Sequence, residues 1–321
     1  MSKQENQCSR RNFIVSAGML AAGFYISPRQ TYSRGIFGET NPVKFTKAEA
    51  AKSPITVQKL RNNISVLEGS GGNIIAFTGP EGKLMVDAGI DVSKDKIKKA
   101  LAAISDKPVK YLVNTHWHFD HAGGNEWIHE TGATIIAQAK TRTHLAKTTR
   151  VEDWDYTFPP SPGGALPNIV FDQEHTLRMN GETLKMHHYQ PAHTDCDIYV
   201  HFENADVLHV GDTWWNGFYP FLDFNTGGNI DGMIEAADKN VNRVSDRTII
   251  VPGHGPVGNK AQMIEYRDML GEVRNRIQVL KKRGQSLTEV VANKPTKAYD
   301  AKWGQSIISP AWFAKMVYRG V

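Results

Sequence analysis

Cysteine is almost missing from this 321-residue chain, which has only Cys8 and Cys196. One of the two sits in the N-terminal segment, so the folded body has no internal disulfide and its core rests on packing. A strong excess of charge is missing too. The net charge is +5, but Lys3, Arg10, Arg11, Arg29 and Arg34 face only Glu5 within residues 1–34. The remaining body is close to neutral, which removes the electrostatic argument for a nucleic-acid partner. The uncharged run Phe13–Ile26 is shorter than the ~20 residues of a membrane span. What is present is ordinary for a globular protein. Hydrophobic residues at 40% and charged residues at 22% supply a core and argue against long disorder.

The N-terminus reads as an address. Arg10-Arg11 precede Asn12, Phe13 and Ile14, a charged region ahead of an apolar one of signal-peptide length. Adjacent arginines followed by a hydrophobic residue look like a twin-arginine export signal. Residues 1–34 are therefore assigned to export, and 35–321 to one domain located in the periplasm or outside the cell. No small-x-small cleavage site is present, so an uncleaved signal would be the only membrane anchor expected.

After a polar stretch ending near Lys52, β-rich runs at 55–60, 64–68, 73–78 and 83–87 are separated by turn residues, as in an antiparallel meander. A helix at 93–104 puts Ile97, Leu101 and Ile104 on one stripe. A strand at 109–114, a helix at 126–130 and a strand at 134–137 follow. Residues 150–168, rich in Pro, Gly and aromatics, read as a long surface loop beside the site. The second half offers strands at 169–172, 176–178, 183–188, 198–202, 207–210 and 248–251, with Asn180-Gly181 as a hairpin turn. Helices are expected at 230–241, 260–283, 287–292 and 310–318. Two β-rich halves with helices between and after them suggest an α/β (α+β) fold with sheet on sheet and helices outside.

The chemistry is concentrated in Thr115-His116-Trp117-His118-Phe119-Asp120-His121, directly after an expected strand. In extended chain the i and i+2 side chains point the same way, so His116 and His118 can grip one ion. Asp120 and His121 fall where the chain turns and can face another. His193, Asp212 and His254 each lie at the end of a β-run before a tight turn, and Gly253 and Gly255 let the backbone bend around His254. His129, His144, His175, His187, His188, His201 and His209 match no such setting and read as structural, and Cys196 as a small packed residue.

This set resembles the metallo-β-lactamase superfamily in its binuclear, glyoxalase-II-like form. The resemblance implies a four-layer αββα sandwich and two metal ions. By it, His116, His118 and His193 bind the first ion, Asp120, His121 and His254 the second, and Asp212 bridges them. Asp87 matches an aspartate that orients a ligand histidine. Histidine and carboxylate donors suit two Zn²⁺, and iron or manganese fits the same set. Two such ions share a hydroxide, with Asp120 holding it in line, and the substrate is a small molecule. The aromatic segment holding Trp214, Trp215, Asn216 and Phe218 is the candidate substrate wall.

The resemblance leaves several activities open. The bridging Asp212 points to an ester, thioester or lactone. A β-lactamase is the alternative, and a mononuclear-iron sulfur dioxygenase a further one. The address is testable by itself. Replacing Arg10 and Arg11 with lysine should hold the precursor in the cytoplasm, and fractionation showing normal export of that variant would rule the twin-arginine route out.

Overall fold

The computed structural model describes residues 41–321, so residues 1–34, read above as an export signal, lie outside the described residues. In chain order, α1 (Pro42–Lys52) leads into β1 (Thr56–Lys59), β2 (Ile64–Glu68), β3 (Ile74–Gly79) and β4 (Gly82–Val86). Then come α2 (Lys94–Ile104), β5 (Val109–Val113), α3 (Phe119–Ala122), α4 (Asn125–His129), β6 (Thr134–Gln138) and α5 (Ala139–Leu145). A hairpin of β7 (Thr149–Val151) and β8 (Tyr156–Phe158) precedes β9 (Ile169–Phe171). The second half holds β10 (Glu174–Met179), β11 (Glu182–His188), β12 (Ile198–Phe202), β13 (Val207–His209), α6 (Ile230–Arg243) and β14 (Ile249–Val251). Helices α7 (Lys260–Lys282), α8 (Leu287–Ala292), α9 (Asp300–Trp303) and α10 (Pro310–Gly320) close the chain.

The central strands are apolar on both faces, and successive residues divide between two cores. Ile75 and Phe77 of β3 point between the sheets, whereas Ile74 and Ala76 point toward α2 and α4. Leu84 and Val86 divide from Met85 in the same way. In the second sheet Val207 and Val251 face inward, while Leu208 and Ile250 face α6 and α7. The outcome is helices, a seven-stranded sheet, a five-stranded sheet and helices again. This is the four-layer αββα sandwich.

Three readings of the sequence are corrected. Residues 150–168 are not one surface loop, because β7 and β8 pair there and bury Val151 and Trp154. The aromatics that suggested a loop are packed against one another. The strand at 169–171 belongs to the first sheet, beside β6, because periodicity gives a strand its faces but not its partner. The polar stretch before Lys52 is helix α1, started by Pro42 in the first turn and by Asn41, whose side chain accepts from the Val43 and Lys44 N–H groups. The Asn180-Gly181 turn is as expected, with φ of 52° and 74° between β10 and β11.

Strand direction places the site. β4 and β5 are parallel, as are β13 and β14, and β11 runs with β13 because both are antiparallel to β12. The loops leaving the C-terminal ends of these five strands carry Asp87, residues 116–121, His193, Asp212 and His254. At the sheet–sheet contact Phe202 meets Phe77 edge-on, with centroids 5.6 Å apart, and is fully buried. Phe202→Ala should cost about 3–5 kcal/mol, read by chemical denaturation. A loss below about 1 kcal/mol would contradict this packing.

Candidate functional site

Two groups of donors converge at those strand ends. His116, His118, His193 and Asp212 form one, and Asp120, His121 and His254 the other, with the donor atoms of each group within 4.8 Å of one another. These are the seven residues read from the sequence, with Asp212, expected to bridge, grouped here with the three histidines of the first set. Asp212 lies between the groups: its Oδ1 is 3.0 Å from His121 Nε2, and its Oδ2 is 3.3 Å from both His193 Nε2 and His254 Nε2. Gly253 makes this possible, because a Cβ there would stand 1.9 Å from Asp212 Oδ1. Only His254 and Asp120 keep measurable side-chain exposure, at 17% and 11%. The site therefore opens on their side.

The ring nitrogens of His118, His193 and His121 turned away from the centre are engaged. His118 Nε2 donates to Asp223 Oδ2 at 3.0 Å, and His193 Nδ1 to the Phe221 carbonyl at 2.8 Å. His121 Nδ1 donates to Asp87 Oδ2 at 2.8 Å, as expected of Asp87. Asp87 itself sits in the left-handed region, at φ 62°, and accepts from the Thr115 N–H and hydroxyl. As neutral imidazoles, His118 and His193 then aim lone pairs at each other from Nδ1 and Nε2 across 2.9 Å. His116 Nε2 is buried without a hydrogen-bond partner. Facing lone pairs and unpartnered buried acceptors are unfavourable unless a cation lies among them, so these residues fit a metal.

A profile of the metallo-beta-lactamase superfamily matches residues 67–254, more than half of the chain and every one of these donors. The chain belongs to that superfamily. It is 27% identical over 172 residues to a hydroxyacylglutathione hydrolase of Polaromonas sp., covering 53% of this chain and 57% of that enzyme's length. It is 23% identical over 273 residues to a type 2 metallo-beta-lactamase of Bacillus cereus, covering 81% and 99% of the two chains. Among solved structures, a sec-alkylsulfatase of Pseudomonas sp. superposes with a TM-score of 0.65 at 16% identity, over 85% of this chain and 51% of that one.

Electrostatics separate the members of this superfamily site. Burial, and then His121, hold His116 well below its ordinary value, and burial lowers His118 against the pull of Asp223. Burial alone would raise Asp212, but His254, His121 and His193 outweigh it and keep the carboxylate ionised. Burial alone would lower His254, yet Asp212 and Asp120 push it up to about 9. His121 is likewise driven well above the usual range by Asp212, Asp120 and Asp87 against burial. In the metal-free protein His121 and His254 thus hold protons at neutral pH that His116 and His118 do not.

The expected substrate wall divides. Trp214 is fully buried in the core under α6 and α7, and it packs without facing a substrate. Asn216 is buried and donates its amide to the Pro256 carbonyl, bracing the His254 turn. Trp215 lies tilted against His254 with centroids 4.2 Å apart, and the half-buried Phe218 lies by Gly255. The sequence reading missed Trp154, whose ring is 4.8 Å from that of His118 and stacks on Phe221. It missed Asp223 as well. The available signal was one acid inside the aromatic run 218–224, since a carboxylate in apolar surroundings needs a partner. Cys196 is a buried thiol pushed up by burial and plays the packing role expected.

Because metal and proton compete for His254 and His121, affinity at the second group should rise with pH from neutrality and level off above about 9. Titration of the metal-free protein against a chelator at several pH values measures this. A flat profile for both binding events would contradict the charge assignment.

Proposed function

We propose that the protein is an exported hydrolase that holds two metal ions, zinc being the first choice, and cleaves an ester, thioester or lactone. In this reading residues 1–34 direct twin-arginine export, and 35–321 form the catalytic domain in the periplasm or outside the cell. The supporting observation is Asp212, a buried carboxylate within 3.3 Å of histidines from both groups. His116, His118 and His193 would hold one ion, Asp120, His121 and His254 the other, and Asp212 both. Nitrogen and oxygen donors of this kind suit zinc, and iron or manganese fits them too. Ions so placed supply a water activated near neutral pH and a Lewis acid for the substrate's carbonyl.

The chain's own groups supply orientation and access. Asp120, at the open side, accepts a hydrogen bond from the attacking water and holds it in line. Asp87, Asp223 and the Phe221 carbonyl keep His121, His118 and His193 in the tautomers that leave their inner nitrogens free. The substrate enters past His254 and Asp120, beside Trp215 and Phe218. The thioester preference agrees with the similarity to a hydroxyacylglutathione hydrolase. Asp212 also bears on it by sharing its negative charge between the groups, which weakens the help available to an amide nitrogen leaving as an anion. A thiolate or alkoxide needs less of that help, and tenfold in rate is only ~1.4 kcal/mol. The second reading is a β-lactamase, favoured by the 273-residue match to the Bacillus cereus enzyme.

One panel decides between them: a chromogenic β-lactam, a carbapenem, a glutathione thioester, an acyl lactone and an aryl phosphodiester at equal concentrations. The thioester or lactone should turn over at least about tenfold faster than either lactam. A lactam turned over faster than every ester and thioester would establish the second reading. Metal analysis belongs with it, since two ions per chain are expected and a single iron would indicate the dioxygenase chemistry instead.

A further inference from the structure

Two consecutive residues just before β3, Gly72 and Asn73, touch Asp120, His121 and the turn that carries His254. The Gly72 N–H donates to the Asp120 carbonyl at 3.2 Å. A Cβ on Gly72 would stand 2.2 Å from His121 Cε1 and 2.5 Å from its Nε2, so this ring lies directly on the glycine. Asn73 then grips the turn that carries His254. Its N–H donates to the Gly253 carbonyl at 2.7 Å, and its side-chain amide donates to Pro252 at 3.0 Å and Gly255 at 2.9 Å. Three consecutive-turn carbonyls around one ligand histidine are thus tied to one residue, which is buried.

The same residue reaches the Asp212 turn through His209. His209 Nε2 donates to the Asn73 carbonyl at 3.2 Å, and its Nδ1 accepts from the Gly211 N–H at 3.0 Å, next to Asp212. Both ring nitrogens are used, so His209 is held as one neutral tautomer, fully buried. Two histidines of the first group are braced elsewhere. His118 leans on Asp223 and His193 on the Phe221 carbonyl, with no hydrogen bond from Gly72, Asn73 or His209 among the described residues. Asp212 and, through Asp87 and Thr115, His116 share part of the second group's support, so the bracket reaches the first group only at those two residues.

We infer that Asn73 and His209 form a bracket that positions the second donor group and the Asp212 turn, and so sets affinity for the second metal ion more strongly than for the first. Neither is a ligand, and both act through the backbone that carries the ligands. Partners behind a ligand typically change metal affinity by about 10–100-fold. The inference rests on the two-ion reading above.

The test is stepwise zinc titration of the metal-free full chain against a chromogenic chelator, repeated with cobalt for its absorption spectrum. Wild type, Asn73→Ala, His209→Phe and His209→Gln are compared, with Asp223→Ala as the converse. Asn73→Ala and His209→Phe should weaken one binding event about 10–100-fold and the other much less, with the metal-free melting curve still cooperative. His209→Gln keeps a donor near the Nε2 position and should recover most of the loss. Asp223→Ala should weaken the event that the bracket variants affect less. If Asn73→Ala does not fold, Asn73→Ser makes the same comparison. Equal loss of both ions in the bracket variants, or loss of neither, would overturn the inference. A wild-type protein that takes up only one ion would overturn the two-ion reading itself, and this appears before any variant is examined.

Discussion

A carboxylate buried among four imidazoles must be compensated, and Asp212 stands in that position. His116, His121, His193 and His254 all bring a ring nitrogen within 4.0 Å of it. Removing a charge from water costs several kcal/mol unless opposite charge or hydrogen bonds replace the water. Here the compensation is uneven. His116 is held neutral while His121 and His254 are driven toward the charged form. The metal-free site is therefore balanced by protons on one side, and cations entering it displace those protons.

That requirement shapes what surrounds the donors. Each histidine needs its outer nitrogen occupied, and the fold supplies three different acceptors: the Asp87 carboxylate, the Asp223 carboxylate and the Phe221 carbonyl. The last of these depends on the C-terminal helices. Tyr219 stacks on Phe313 of α10 with centroids 4.5 Å apart, and its hydroxyl donates to Asp300 at 3.0 Å. Through this anchor, helices beyond the superfamily match help fix the segment that orients His193. On the other side the β7–β8 hairpin presses Trp154 against His118, and Asn41 at the head of α1 holds the hairpin by its Trp154 and Asp155 carbonyls.

The sandwich explains why such distant residues meet. Parallel pairing of β4 with β5 and of β13 with β14 sends the loops of both halves to one edge. The apolar layer between the sheets, with Phe77 against Phe202 at its centre, holds the halves in register. Donors from positions 116 to 254 then occupy a space a few ångströms across. Glycine is required where backbones pass this closely, at Gly253 beneath Asp212 and at Gly72 beneath His121.

Local pattern alone determined a large part of this protein. Alternating apolar runs marked most strands, the Asn180-Gly181 turn marked a hairpin, and the donors of 116–121 announced themselves by density and by position after a strand. His193, Asp212 and His254 were legible because a donor at the end of a β-run before a tight turn is a local feature. Partnership was not local. Nothing in Ile169–Phe171 says that it pairs with β6, and nothing around His209 distinguishes a core histidine from one that joins two ligand turns. Asp223, Trp154 and Asn73 acquire their roles only through contacts about 30 to 180 residues away along the chain, with His118, His193, Pro252 and Gly255. Residue type and spacing express which groups can bind a metal. Which groups hold those donors still is a matter of hydrogen bonds between segments, and only the packed tertiary structure brings those segments together.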